Sequence, residues 1–410
     1  MTPRKNPAPN FVTHLECSLT GAHYPANALH NLSTSQKPLL VRYDLEKIQS
    51  LISRDALKQR PPDLWRYREL LPITETPVSL GESATPILAD DGAARALDLE
   101  HVWIKDEGRL PTGSFKARGL AMAVNLAKSL GVKRMAIPTN GNAGAALAAY
   151  CAAAKLEAIC FCPEDTPAVN LQEMAFYGAK TFRVKGLIND CGTLVKQGAE
   201  AGLWFDTSTL KEPYRIEGKK TMGYEIAEQL GWEMPDVIVY PAGGGTGAIA
   251  IWKALQELVD LGWVQGKLPR MLITQYEGCA PIVKAFNGGL EACEPWGEIN
   301  IPPGGLKAPV PAAGKQILRL MRETNGGGMA VSESEALEAV SQLAALEGVF
   351  ACPEAGTTLA GLKKALNSGL ASKEERVVLV ITGSGLKSVP TLPEANIPQI
   401  ESADDVVTGT

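Results

Sequence analysis

Leu-Pro-Thr-Gly-Ser-Phe-Lys-Ala-Arg-Gly, residues 110–119, decides how this 410-residue chain is to be read. Val-Trp-Ile-Lys-Asp-Glu at 102–107, just ahead of it, predicts a strand, and the apolar-rich run at 120–130 predicts a helix. Lys116 therefore falls where a Pro/Gly/Ser loop becomes a helix N-terminus, beside the aromatic Phe115. Loop N–H groups and the positive end of a helix lower the pKa of an amine held there and favour its neutral form. A free amine of that kind forms a Schiff base with an aldehyde. Taken alone, the same residues also describe a solvated lysine on a surface turn, so the rest of the chain must decide.

Outward from this loop, short apolar strands alternate with helical runs. Strands are predicted at 135–139, 158–162, 180–184, 204–206, 237–240, 272–276, 350–352 and 377–381. Helices are predicted at 145–154, 169–177, 190–201, 218–230, 248–259, 332–346 and 357–366. The alternation predicts an α/β fold with a mostly parallel, helix-covered sheet. Such sheets bind ligands beyond the carboxyl ends of their strands, and the Gly-rich segments fall there. Nearer the start, 44–60 predicts a helix with Leu45, Ile48, Leu51 and Ile52 at helical spacing, and 1–45 reads as an irregular arm.

Three further loops carry chemistry. Pro-Ala-Gly-Gly-Gly-Thr-Gly at 241–247 follows an apolar strand and opens a helix. Without side chains, the N–H groups of Gly243, Gly244, Gly245, Thr246 and Gly247 can converge on an anion, helped by the helix end. The spacing is neither that of a dinucleotide fingerprint nor that of an ATPase loop, which suggests a lone phosphate monoester. Asn140-Gly-Asn142-Ala-Gly144 offers Asn142 as donor to a phenolate-like oxygen, with loop N–H groups for a carboxylate. Thr382-Gly-Ser-Gly385 places hydroxyls at the last strand end, where Thr382 could face a pyridine nitrogen and leave it unprotonated. Each loop alone is also an ordinary turn or cap. Together they offer an amine for an aldehyde, a cradle for a phosphate, an amide for a ring oxygen and a hydroxyl for a ring nitrogen. Pyridoxal phosphate needs those four groups and carries the electrons itself.

The pattern resembles the fold-type II pyridoxal-phosphate enzymes of the tryptophan synthase β-like superfamily, and within them the threonine synthases. The residues that carry the resemblance are 64–67 with 70–72, 80–82, 105–108, 111–119, 215–221 and 382–387, within a stretch from about 60 to 390. The resemblance implies two parallel-sheet α/β domains with the active site between them. It implies an arm at 1–45, a large cofactor-binding domain of 46–120 and 208–395, a small α/β domain of 121–207, and a flexible tail at 396–410. Lys116 matches the family's Schiff-base lysine and is the catalytic residue; Phe115 lies beside it. Asn142 matches the amide at the ring oxygen, 243–247 the phosphate loop and Thr382 the hydroxyl at the ring nitrogen. Ser208 and Arg215 resemble positions that hold the phosphate of O-phospho-L-homoserine, with Lys219 a weaker anchor and Asn140 on the amino-acid side. The implied reaction adds water to that substrate and gives L-threonine and phosphate. Leu110 and Ala117 depart from the usual Asn and Asp, and Ala143 replaces a frequent Thr. These changes bear on the amino acid bound more than on the cofactor. A serine/threonine dehydratase or related β-replacement enzyme is the alternative, and a non-catalytic paralogue that binds the cofactor is a third reading.

Composition sets the outer limits. Apolar content of 45%, charged content of 21% and a formal net charge of −5 describe an ordinary globular chain and exclude a general nucleic-acid binder. No run of 18 apolar residues predicts a membrane span, and the Pro-rich start lacks the apolar core of a secretory signal, so a cytoplasmic protein is expected. The eight cysteines show no paired spacing, and no metal is expected, although Cys17 stands where relatives can carry a Cys-rich metal element. All four histidines lie in the first quarter of the chain, far from the predicted chemistry. A small-molecule substrate and a homodimer complete the expectations.

Overall fold

The structure is a computed structural model and describes residues 10–399 apart from 74, 90, 91, 390, 391, 395, 396 and 398. The tail expected at 396–410 therefore falls almost wholly outside the described residues.

The chain begins with strands β1 (Val12–Cys17), β2 (His23–Tyr24) and β3 (Leu39–Tyr43), which form an antiparallel sheet in the order β2-β1-β3. The arm is thus a small sheet rather than irregular chain. Leu15, Cys17, Leu39 and Val41 alternate inward onto the core, a period of two that short segments between Pro and Asn residues disguise. The helix expected at 44–60 covers only Leu45–Leu51; Arg54–Gln59 forms a separate 3-10 turn after an extended break at Ile52 and Ser53.

Strands β4 (Ile87–Ala89) and β5 (His101–Asp106) then start the main sheet. The chain leaves it through the helix Lys116–Ser129 for a second sheet of β6 (Arg134–Pro138), β7 (Glu157–Pro163), β8 (Lys180–Val184) and β9 (Phe205–Asp206). That sheet is parallel, in the order β8-β7-β6-β9. The chain returns to complete the main sheet with β10 (Val237–Pro241), β11 (Arg270–Tyr276), β12 (Gly327–Val331) and β13 (Arg376–Ile381). The main sheet runs β12-β11-β10-β13-β5-β4, parallel throughout except for the antiparallel edge strand β4. Runs such as Val377–Ile381 are buried on both faces, as a helix-covered parallel sheet requires. Edge strands β4 and β12 were not foreseen; β12 is rich in glycine and carries little apolar pattern. The strand expected at 350–352 reduces to a single bridge between Ala351 and Ser384.

Two buried charge networks fix the helices around the future site. The Arg118 guanidinium, from the 110–119 stretch, donates to Glu107 at 2.6 Å and 2.8 Å and to Glu225 at 2.6 Å and 2.7 Å. Lys105 Nζ adds a 2.6 Å bond to Glu225. Burying these charges is tolerable only because each meets an opposite partner and hydrogen bonds. The second network joins Glu217, Lys220, Lys253 and Glu257, and Tyr43 of β3 donates to Glu217 at 2.7 Å, which ties the arm to the body. The helices Lys116–Ser129 and Tyr214–Lys219 cross at Gly119 and Gly218. A Cβ on Gly119 would lie 2.8 Å from the Arg215 carbonyl oxygen, and one on Gly218 would overlap the Arg118 carbonyl oxygen. This close crossing brings Arg215 up to the start of the Lys116 helix.

Candidate active site

The carboxyl ends of β5, β10 and β13 and the loop after β6 converge on one cavity of about 430 Å³ between the two sheets. That volume suits a small cofactor with its substrate. Phe115, Lys116, Asn140, Asn142, Ser208, Arg215, Gly243, Gly244, Gly245, Thr246 and Thr382 all line it. Residues spread over some 270 positions of sequence thus meet in a single space.

Lys116 sits at the first turn of its helix, its Nζ 3.8 Å from the centroid of the Phe115 ring. Burial and the nearby Arg215 guanidinium push its amine down to about 7, although Glu354 and Cys352 pull the other way. At neutral pH a large fraction of the amine is therefore unprotonated and nucleophilic. The loop beneath it is pinned to the end of β13: Phe115 N–H donates to the Thr382 carbonyl at 3.0 Å, and Ser384 N–H to that of Gly113 at 2.9 Å. These bonds set Thr382 beside Phe115, on the wall of the same cavity.

Gly243, Gly244 and Gly245 form a turn between β10 and the helix Thr246–Asp260, with Gly245 at φ +72°. A Cβ on Gly244 would meet only Thr209, at 3.8 Å, so its open side faces the cavity, where N–H groups at a helix start attract an anion. Gly247 stands behind this wall; its hydrogen side is filled by the Tyr240 hydroxyl. Lys219 also lies behind the wall, and its Nζ donates to Thr246 Oγ1 at 2.7 Å. Burial, then Arg215 and Lys116, push the Lys219 amine well below the usual lysine range.

Asn142 opens the helix Asn142–Ala154, and its Oδ1 is buried with no hydrogen-bond partner. Asn140 lines the cavity and donates to the Lys307 carbonyl at 3.2 Å. Ser208 gives its hydroxyl to Asp206 and its N–H to the same oxygen at 2.8 Å. Arg215 is 2% exposed. Its Nη1 donates to the Thr207 carbonyl at 2.8 Å, and its Nε is buried without a partner. Among the described residues it forms no ion pair. Glu212, which accepts the Arg215 backbone N–H at 3.2 Å, and Asp206 favour its charge from beyond ion-pair distance, so the guanidinium on the cavity wall can still take an anion.

Several wall residues escaped the sequence reading. Residues 302–308 line the cavity, held by Gly305 N–H on Glu354 Oε1 at 2.8 Å and by an ion pair between Lys307 and Asp165. Lys387 pairs with Glu173 at a second point of the rim and donates to the Thr112 carbonyl at 3.0 Å. Both pairs reach from the main-sheet side to elements of the second sheet. Pro-Pro-Gly-Gly at 302–305 was the visible signal for the first; Lys387 closes the 382–387 segment that carried the resemblance, but nothing there marked it as a wall residue. Cys352 and Glu354 flank the start of the helix Pro353–Asn367 on the same wall.

A model of the pyridoxal-phosphate dependent enzyme family matches residues 78–383. The threonine synthase of Methanocaldococcus jannaschii is 36% identical over 352 residues, covering 85% of this chain and 86% of that one. That of Methanosarcina acetivorans is 34% identical over 401 residues, 95% of this chain and 98% of its own. The chain belongs to the pyridoxal-phosphate-dependent threonine synthases. Among solved structures, the diaminopropionate ammonia lyase of Escherichia coli superposes with a TM-score of 0.65 over 77% of this chain and 87% of that one. Maize serine racemase does so with 0.61 over 75% and 91%. At 17% and 18% identity these two speak for the shared fold-type II architecture alone.

The walls fit the family's cofactor. The depressed amine of Lys116 suits its aldehyde, and the open side of the three-glycine turn suits its phosphate. The orphaned amide end of Asn142 needs a polar partner, and a half-turn of the amide presents N–H₂ there as readily as oxygen.

Proposed function

We propose that this enzyme converts O-phospho-L-homoserine and water into L-threonine and phosphate, and that the residues named above divide the work as follows. Gly243, Gly244, Gly245 and Thr246 hold the cofactor phosphate, with Gly247 keeping the turn tight. Lys219 reaches this phosphate through Thr246, a role closer to the cofactor than the substrate anchor expected of it. Asn142 donates to the ring oxygen, Thr382 faces the ring nitrogen, and Phe115 packs beside Lys116. Bound there, pyridoxal phosphate supplies an electron sink for carbanion chemistry at the substrate's α and β carbons.

Lys116 would hold the cofactor by its aldehyde, and the free amine would serve as the base that takes protons from those carbons. Its depressed pKa keeps it able to accept a proton near neutrality, and the protonated amine can return one later. Arg215 binds the phosphate that leaves from the γ carbon, with Ser208 beside it and Asn140 near the amino-acid end.

The observation that carries this reading is Arg215, a buried guanidinium that forms no ion pair among the described residues, on the same wall as Lys116. It favours a phosphorylated substrate over serine or threonine, which a dehydratase would take. The test is phosphate release from O-phospho-L-homoserine set against 2-oxo acid formed from threonine, with visible-edge absorbance recorded throughout. Lys116→Ala should abolish both the band and turnover; if it kept them, the assignment of the cofactor site would be wrong. Were 2-oxo acid from threonine the faster product, the dehydratase reading would replace this one.

Residues 46–120 with 208–395 and residues 121–207 are our proposed domains, each built on one of the two sheets. A homodimer and a cytoplasmic location remain part of the proposal. No helix among the described residues is long and apolar enough to cross a membrane.

A further inference from the structure

The arm carries a second cluster of reactive groups, outside the active site. Along β1, Leu15 and Cys17 point into the core at 0% and 1% exposure, so His14 and Glu16 share the opposite face. The register of β1 on β2 pairs Glu16 directly with His23, which brings the second imidazole to that face. One ligand atom from each of His14, Glu16 and His23 lies within 4.8 Å of the others. The two rings stack at 3.8 Å between centroids, 26° apart in plane.

Two of the three groups are already oriented. Thr13 Oγ1 sits 2.9 Å from His14 Nδ1, which leaves Nε2 buried and without a hydrogen-bond partner among the described residues, 3.9 Å from Glu16 Oε2. Arg42 of β3 holds the other carboxylate oxygen, Oε1, at 2.6 Å and so turns Oε2 towards the imidazole. Outer partners of this kind, one on a histidine's far nitrogen and one on a carboxylate, orient metal ligands. We propose that His14, Glu16 and His23 bind a divalent transition-metal ion of the zinc class, with water in the fourth position. Two imidazoles and one carboxylate are a donor set that zinc accepts. Neighbouring ligand atoms around a tetrahedral ion at about 2.0–2.1 Å stand roughly 3.3 Å apart. A side-chain rotation of the exposed His23 closes the remaining gap.

The cysteine spacing predicts no metal, and the set here uses none of the cysteines. Cys17 is turned to the other face of β1, where its Sγ lies 3.2 Å from Ser33 Oγ and 3.3 Å from Ser35 Oγ. The ion has a structural use. β2 is two residues long and pairs with β1 at only two positions, too little to hold by itself. A cross-strand ion staples that hairpin. The same arm places Asn31 Nδ2 on the carbonyls of Asp206 and Lys211, at 2.7 Å and 2.8 Å, and those residues flank Ser208 on the cavity wall. A firm arm therefore steadies one side of the active site.

The experiment is equilibrium dialysis of the metal-stripped holoenzyme against zinc alone, with bound zinc counted by elemental analysis and the melting temperature followed in parallel. One zinc per chain and a melting temperature that climbs with zinc are expected for the wild type and for Cys17→Ser. His14→Ala, His23→Ala and Glu16→Gln should each weaken binding by at least about tenfold. They should also remove the zinc-dependent rise while leaving the zinc-free melting temperature close to wild type. No stoichiometric uptake by the wild type overturns the proposal. So does uptake that survives the double variant His14→Ala/His23→Ala, or that is lost in Cys17→Ser.

Discussion

Arg215→Gln removes the group on which substrate choice is proposed to rest. In the structure Nη1 donates to the Thr207 carbonyl at 2.8 Å and to Thr209 Oγ1 at 3.4 Å, while Nη2 makes no hydrogen bond among the described residues, so its two N–H directions remain for a phosphate. A hydrogen bond to a charged group contributes about 1.5–3 kcal/mol, which makes about 3–6 kcal/mol for two. At 1.36 kcal/mol per decade, kcat/KM for O-phospho-L-homoserine should fall by about 10²- to 10⁴-fold. Arg215→Lys should recover only part of this, because an ammonium restores charge without the planar fork. The same guanidinium helps depress the Lys116 amine, so Arg215→Gln should also raise the pH at which apoenzyme takes up cofactor, whereas Arg215→Lys should not. Both effects are measured with purified protein, by steady-state phosphate release and by stopped-flow absorbance. A loss below tenfold, or an equal loss with an unphosphorylated amino-acid substrate, would refute the reasoning.

The Lys116 amine titrates near 7, and only its neutral form reacts with an aldehyde. Cofactor uptake by apoenzyme should therefore accelerate about tenfold per pH unit below that point and level off above it; a rate that keeps rising towards pH 10 would mean an unperturbed lysine. Gly218→Ala drives a methyl group into the Arg118 carbonyl at the helix crossing and should cost about 1–3 kcal/mol of stability, read in a denaturant melt. An unchanged midpoint would show that the crossing is loose. Asp165→Asn with Glu173→Gln cuts both ion pairs across the mouth, in which the lysines are 18% and 13% exposed. At about 0.2–1 kcal/mol per pair, KM should rise several-fold with kcat nearly kept; an unaltered KM would leave the pairs without a role in closing the site.

How far the chain could be read in advance varied with the range of the interactions involved. The parallel core was legible because strands such as β10 and β13 are buried on both faces and stay apolar along their length. The four loops were legible because glycine, asparagine and threonine between a strand and a helix have few physical uses. Edge strand β12 and the arm sheet were not, since their residues gain a strand's hydrogen bonds from a distant partner rather than from local preference.

The sequence by itself determined the identity of the chemical groups: a lysine at a helix start, a glycine cradle, an amide and a hydroxyl, each at a strand's carboxyl end. Tertiary structure alone decided which of them face the cavity. It sent Lys219 to Thr246, turned Gly247 against Tyr240, left Arg215 without an ion pair among the described residues and brought 302–308 to the cavity wall. It also set His14, Glu16 and His23 on one face of a hairpin, although histidine had no place in the chemistry expected. Local pattern encodes the direction of a side chain relative to its own element. What that side chain meets depends on how elements separated by a hundred residues or more pack, and no window of sequence contains that information.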